Sequence, residues 1–189
     1  MATNPVKFYT PEEYLSLERS SEHKSEYLNG QIFAMGGASP QHILIITNVV
    51  TQLNIQLRNR PCTVYSTDLR VRVSPTGLYT YPDIVVACEE LVFADDQNDT
   101  LVNPTLIIEV LSPSTKDYDR GEKFEHYRSL RSLKEYLLIA QDKCHVEQFI
   151  KQDNGLWLLS ETNKTDDVIK LSSISCELSL TETYAKVKF

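Results

Sequence analysis

The sequence predicts an α/β protein, a mixed central sheet flanked by helices. Two long runs carry apolar residues at helical spacing, and short runs rich in β-branched and aromatic residues lie between and after them. The second helical run joins two strand-like runs, as a crossover does. No repeat, low-complexity stretch or break in composition divides the 189 residues, so one domain over 1–189 is expected.

Thr10-Pro11-Glu12-Glu13 supplies an N-cap, a proline for the first helical position and early acids, which predicts a short helix to about Leu17. Asn29-Gly30 between two apolar pieces of Ser25 to Met35 predicts a hairpin. Ser39-Pro40 opens a longer helix to about Arg58, with Ile43, Ile46, Val50, Leu53 and Leu57 on one face. Strands are expected at Cys62 to Ser66, Leu69 to Val73, Tyr81 to Ala87 and Thr105 to Leu111. A second long helix should run from Tyr118 to Leu130 after the hydroxyl-rich Ser112-Pro113-Ser114-Thr115. Strands then resume at Lys134 to Ala140, Cys144 to Lys151 and Leu156 to Glu161, with a weaker one at Val168 to Leu171.

The start, Met1 to Lys7, has no apolar stretch of signal-peptide length, and no run is long enough to span a membrane, which predicts a soluble, cytoplasmic protein. Cys62, Cys88, Cys144 and Cys176 include no Cys-x-x-Cys, so they suit neither a zinc framework nor an obvious disulfide pattern and read as small core or strand residues. The formal net charge of −7 argues against coating nucleic acid by bulk electrostatics. All of the excess lies from Asp83 to Glu109, which holds seven acids and no lysine or arginine, and its Asp95-Asp96-Gln97-Asn98-Asp99 stretch reads as a solvated loop. Bases gather at Arg58, Arg60, Arg70 and Arg72 and again from Lys116 to Lys134, where a phosphate backbone could be met.

Glu109 interrupts Thr105-Leu106-Ile107-Ile108-Glu109-Val110-Leu111, otherwise a buried strand. A carboxylate there needs a metal, a cation or dense hydrogen bonding beside it. Asp83 opens the apolar run Ile84 to Ala87 in the same way. Mg²⁺ takes one or two protein carboxylates while keeping waters and substrate phosphate oxygens, so Asp83 and Glu109 are a candidate pair if their strands are neighbours. Glu26 could approach the same ion from the hairpin; alternatively it is an exposed helix-end acid. The other account of the pair is Asp83 capping the turn after Pro82 and Glu109 meeting an arginine. His42 could touch substrate or assist proton transfer, though a lone histidine near a helix start is more often simply polar. His23, His126 and His145 have no zinc spacing, and no glycine-rich phosphate loop or Gly-x-Ser-x-Gly elbow appears.

Glu26, then Pro82-Asp83, then Ile108-Glu109-Val110 resembles the PD-(D/E)XK nuclease superfamily with its restriction-endonuclease-like fold. Within it the chain is most similar to the Uma-two group of endonucleases abundant in cyanobacteria. The likeness rests on Tyr27-Leu28-Asn29-Gly30-Gln31-Ile32, Asp68-Leu69-Arg70-Val71, Tyr81-Pro82-Asp83-Ile84-Val85-Val86, Glu109-Val110-Leu111-Ser112-Pro113-Ser114-Thr115, and Gly121-Glu122-Lys123 with Tyr127, and it spans Thr10 to Lys151. It implies a metal-dependent endodeoxyribonuclease with DNA as partner, in which Glu26, Asp83 and Glu109 hold Mg²⁺ or Mn²⁺.

The superfamily's lysine would stand two residues after Glu109, on the same strand face, where this chain has Leu111. The resemblance suggests a migrated lysine, Lys123, which shares a helix face with Asp119 and Tyr127. The same spacing suits an exposed i,i+4 pair, and Lys116 or Arg120 could serve instead. A nuclease that cuts duplex DNA at a defined site often works as a dimer, and Trp157-Leu158-Leu159 could present a pairing edge for a homodimer. The rival readings are a nuclease fold that binds nucleic acid or protein without cutting, and an oligomeric scaffold whose acids only form ion pairs.

Overall fold

The computed structural model describes residues 7–189, so the reading of the first residues as lacking a leader lies almost wholly outside it. Helix α1, Pro11–Ser20, opens with the capping box that Thr10 and Glu13 encode: Thr10 N donates to Glu13 Oε2 at 2.8 Å and Glu13 N to Thr10 Oγ1 at 3.2 Å. Strands β1, Ser25–Leu28, and β2, Gln31–Ala34, form the expected hairpin. Its turn residues Asn29 and Gly30 both take positive φ, 49° and 83°, as a tight two-residue turn requires. Helix α2, Pro40–Leu57, is capped by Ser39, whose hydroxyl accepts from His42 N at 3.1 Å.

Five strands follow: β3, Cys62–Ser66; β4, Arg70–Val73; β5, Leu78–Thr80; β6, Ile84–Cys88; and the two-residue β7, Thr100–Leu101. Strand β8, Leu106–Leu111, carries Glu109. The expected helix begins earlier than the sequence suggests and has three parts: α3 at Lys116–Tyr118, a π turn over Asp119–Lys123, and α4 at Phe124–Tyr127. Then come β9, Glu135–Ala140; β10, Val146–Lys151; β11, Trp157–Thr162; β12, Val168–Leu171; β13, Cys176–Ser179; and α5, Leu180–Thr183.

The strands do not join one sheet. A six-stranded mixed sheet runs β11-β10-β9-β8-β6-β3, with β8 and β9 parallel and the other neighbours antiparallel. A five-stranded sheet runs β2-β1-β5-β4-β7, because β4 and β5 turn back onto the hairpin, where Tyr14, Tyr27 and Tyr79 pack together. Alternation along β8 sorts its side chains between two cores. Leu106, Ile108 and Val110 meet α2 and the β12–β13 ribbon, whereas Ile107 and Leu111 meet Phe124, Tyr127 and Tyr136 on the opposite face. Glu109 belongs to that second face by the same alternation.

Two expectations change. Cys62 and Cys88 are bonded: the β3–β6 register sets them directly opposite with Cα atoms 3.9 Å apart, a pairing made by the sheet and not by sequence spacing. The acidic loop is pinned as well as solvated. Arg19 holds Asp95 and Asp99, each at 2.7 Å, and the buried Arg70 reaches Asp99 at 2.8 Å. Among the described residues no helix is long and apolar enough to cross a membrane.

Candidate active site

The β6–β8 register, Ile84 against Ile108, continues outward to bring Asp83 beside Glu109. Asp83 N donates to Glu109 Oε2 at 3.1 Å, and Val110 N donates to Asp83 Oδ2 at 2.7 Å. Each acid is therefore oriented by the other strand's backbone. Glu26 comes from β1, buried, with Oε1 accepting from the Thr80 hydroxyl and Oε2 from Tyr118 OH at 3.2 Å. It is not an exposed helix-end acid.

Lys123 is the cation that reaches this centre. Its Nζ lies 2.9 Å from Glu109 Oε1 and 3.4 Å from both Glu26 Oε1 and Asp119 Oδ1. With 5% of its surface exposed, Lys123 is not half of a solvated i,i+4 pair. Asp119 and Lys123 are the two buried residues of the π turn, a local distortion that recurs at functional sites. Leu111 stays in the apolar core, Lys116 is exposed, and Arg120 turns away to Glu147 at 2.6 Å. Glu109 meets a lysine, not an arginine, and Tyr127 OH adds a bond to its Oε1 at 2.9 Å.

Burial pushes the Glu109 carboxyl up to about 8; Lys123 opposes this, while Asp83 and Asp119 add to it by repulsion. Burial likewise raises Asp119. Burial alone would lower Lys123, but Glu109, Glu26 and Asp119 hold it well above the ordinary lysine range. Three carboxyl groups, Glu109, Glu26 and Asp119, thus share one ammonium in a largely buried place, and a fourth, Asp83, lies beside Glu109. That surplus of hard oxygen donors fits a divalent cation. Among the described residues no three His, Cys, Asp or Glu side chains form a ready-made cage.

His42 is the residue that sequence reasoning undervalued. Its Nε2 lies 3.0 Å from Asp83 Oδ1, so the first turn of α2 fixes the oxygen that Val110 leaves free. Its Nδ1 is buried without a hydrogen-bond partner. A histidine at the third position after the Ser39 cap was the available signal, but nothing in the sequence joins it to Asp83. Glu26, His42, Asp83, Glu109, Asp119 and Lys123 border one cleft of about 830 Å³ between the β2–α2 loop and the segment after β8.

A mixed sheet with an acid at the start of β6 and another within neighbouring β8, flanked by helices, defines a restriction-endonuclease-like α/β protein. The Uma2 family model, described as "Putative restriction endonuclease", matches residues 11–183, and the chain belongs to that family. Two Synechocystis relatives are similar along most of their length. The uncharacterized protein slr1290 is 35% identical over 187 residues, 98% of this chain and 96% of that protein. The uncharacterized protein sll1609 is 36% identical over 161 residues, 85% of this chain and 91% of that protein. The fold matches the crystal structure of an Anabaena variabilis protein described as "a putative nuclease belonging to DUF820". The TM-score is 0.77 at 21% identity, covering 94% of this chain and 98% of that one.

Proposed function

We propose that the protein is a Mg²⁺- or Mn²⁺-dependent endodeoxyribonuclease that hydrolyses DNA phosphodiester bonds. The observation that carries this reading is the contact of Lys123 Nζ with Glu109 Oε1 at 2.9 Å, beside Asp83 and Glu26, on the wall of an open cleft. Asp83, Glu109 and Glu26 would hold the ion, which when bound polarises a phosphate oxygen and lowers the pKa of a coordinated water. The family description supports a nuclease, and the surplus of buried carboxyl groups supports a divalent cation.

Hydrolysis adds water oxygen to phosphorus, breaks one P–O bond to a sugar and delivers a proton to the departing oxygen. The chain's part is largely electrostatic. Lys123, kept protonated by its acids, offers positive charge where negative charge gathers on the phosphate. Asp83 cannot rotate freely, because Val110 N and His42 each hold one of its oxygens. Tyr127 and Asp83 N do the same for Glu109. This preorganisation means little reorientation is needed when substrate arrives.

The reading is tested by incubating labelled single-stranded and duplex DNA with Mn²⁺ and the wild-type, Glu109→Ala or Lys123→Met protein. Metal-dependent cleavage by the wild type and its loss in both folded variants is the expected result. Full cleavage by Glu109→Ala would refute the assignment.

A further inference from the structure

We infer that the cleft mouth binds an unpaired nucleobase through Phe33 and Ile43, so that the strand presented to the acids is single-stranded or locally opened DNA. The inference rests on the nuclease reading and adds its substrate class. Phe33 sits directly opposite Glu26 in the β1–β2 register, and opposed residues of an antiparallel pair share a sheet face. It lines the cleft yet is 48% exposed. Ile43 follows His42 on α2, lines the same cleft and is 54% exposed. Single exposed apolar residues need no explanation. These two are coupled to the catalytic centre, one by strand register to Glu26 and one by sequence to the partner of Asp83.

The segment between them points the same way. Gly36 and Gly37 also line the cleft, and a Cβ at either would meet nothing within 4 Å; neither has a positive φ. Packing and backbone conformation therefore do not require glycine at these positions, whereas a bare main chain lets a ligand approach closely. The cleft volume, about 830 Å³, lies within the range of sites for small organic ligands.

Charge argues against a duplex here. Among the described residues lining the cleft, Lys24 and Lys123 are the only lysines or arginines. Lys24 is bonded to Thr67 O and Asp68, and Lys123 is enclosed by acids. Several bases that could have met phosphates are engaged elsewhere: Arg70 by Asp99 and Tyr81, Arg120 by Glu147, and Arg60 by the carbonyls of Ile174 and Ser175. Duplex binding depends on many phosphate contacts from free cations. Single strands also meet cations, but with a shallower dependence on phosphate contacts than a duplex, and a base stacked on an aromatic ring adds binding that no cation supplies.

The test is fluorescence anisotropy with a labelled oligothymidylate and a hairpin duplex of matching length, in Ca²⁺, using wild type, Phe33→Ala and Phe33→Trp. Calorimetric Mn²⁺ affinity and wild-type cleavage are measured alongside. The oligothymidylate should bind at least about tenfold more tightly than the duplex, and Phe33→Ala should weaken it about tenfold. Phe33→Trp should restore binding, and Mn²⁺ affinity should be the same in all three proteins. Equal or tighter duplex binding, or an unchanged oligothymidylate affinity in folded Phe33→Ala, overturns the inference while the nuclease reading stands. A wild type that neither binds Mn²⁺ nor cleaves overturns both.

Discussion

The amide of Asp83 donates to the Glu109 carboxylate at 3.1 Å, a bond that ties two acids on adjacent antiparallel strands into one unit. The Val110 amide returns a bond to Asp83 at 2.7 Å, so neither carboxylate is placed by its own strand alone. The arrangement gathers negative charge at the edge of an apolar core, and its cost in stability should be measurable.

Glu109→Gln should remove a pH-dependent loss of stability from the metal-free protein while abolishing cleavage. The folded Glu109 pKa is raised to about 8, above its unfolded value, because of burial. Below the unfolded pKa both states are protonated and there is no penalty. As pH rises, the unfolded state ionises first, so stability falls until the folded group ionises near 8. The stability of the glutamine variant relative to wild type should therefore rise from pH 5 to pH 8, by a few kcal/mol at most. Thermal unfolding in chelator across that range checks it. Lys123 keeps Glu26 and Asp119 as partners, so the variant does not orphan the ammonium.

His42→Ala should weaken Mn²⁺ binding about 10- to 100-fold, the usual cost of losing a group that orients a metal-binding side chain. The bond from Nε2 to Asp83 at 3.0 Å is the basis of the expectation. Titration calorimetry measures it, and His42→Gln, which can still donate, should recover part of the loss.

Asp99→Asn should reduce stability at pH 7 and flatten the acid limb of the unfolding curve. The Arg19 guanidinium, helped by Thr100 and Arg70, holds the Asp99 carboxyl well below the usual carboxylate range despite some burial. A depressed folded pKa gives stability that is fully present above the unfolded pKa and lost as pH falls through the folded one. Wild type should lose more stability than the variant as pH is taken below about 4. Denaturant melts at stepped acid pH read the difference.

Thiol titration of the unreduced, denatured protein should find two free groups, Cys144 and Cys176, with Cys62 and Cys88 joining them after reduction. The bonded pair is separated by 26 positions, so the Cys62→Ser, Cys88→Ser variant should lose about 3 kcal/mol of stability.

Where the sequence was legible, one residue carried a strong local signal. Asn29-Gly30 dictated the turn, Ser39-Pro40 the start of α2, and Glu109 stood out because no apolar strand tolerates an unpartnered acid. The division into separate sheets of six, five and two strands was not legible. β5 and β7 are three and two residues long, and the pairings of β5 with β1 and of β7 with β4 join segments distant in the chain. The π turn was hidden for a related reason: Asp119, Lys123 and Tyr127 read as an ordinary helix face, and that spacing does not announce the π turn over Asp119–Lys123 that buries the first two. His42 and the Cys62–Cys88 bond depend on register and packing, which single residues do not announce.

The central claim is that Asp83 and Glu109 hold a divalent cation. The most direct test is calorimetric titration of Mn²⁺ into the wild type and into an Asp83→Ala, Glu109→Ala double variant, each with and without an uncleavable phosphorothioate oligonucleotide. The account predicts binding by the wild type that vanishes in the folded double variant. A wild type that takes up no Mn²⁺ even with the oligonucleotide present, or a double variant that binds it equally well, would contradict it.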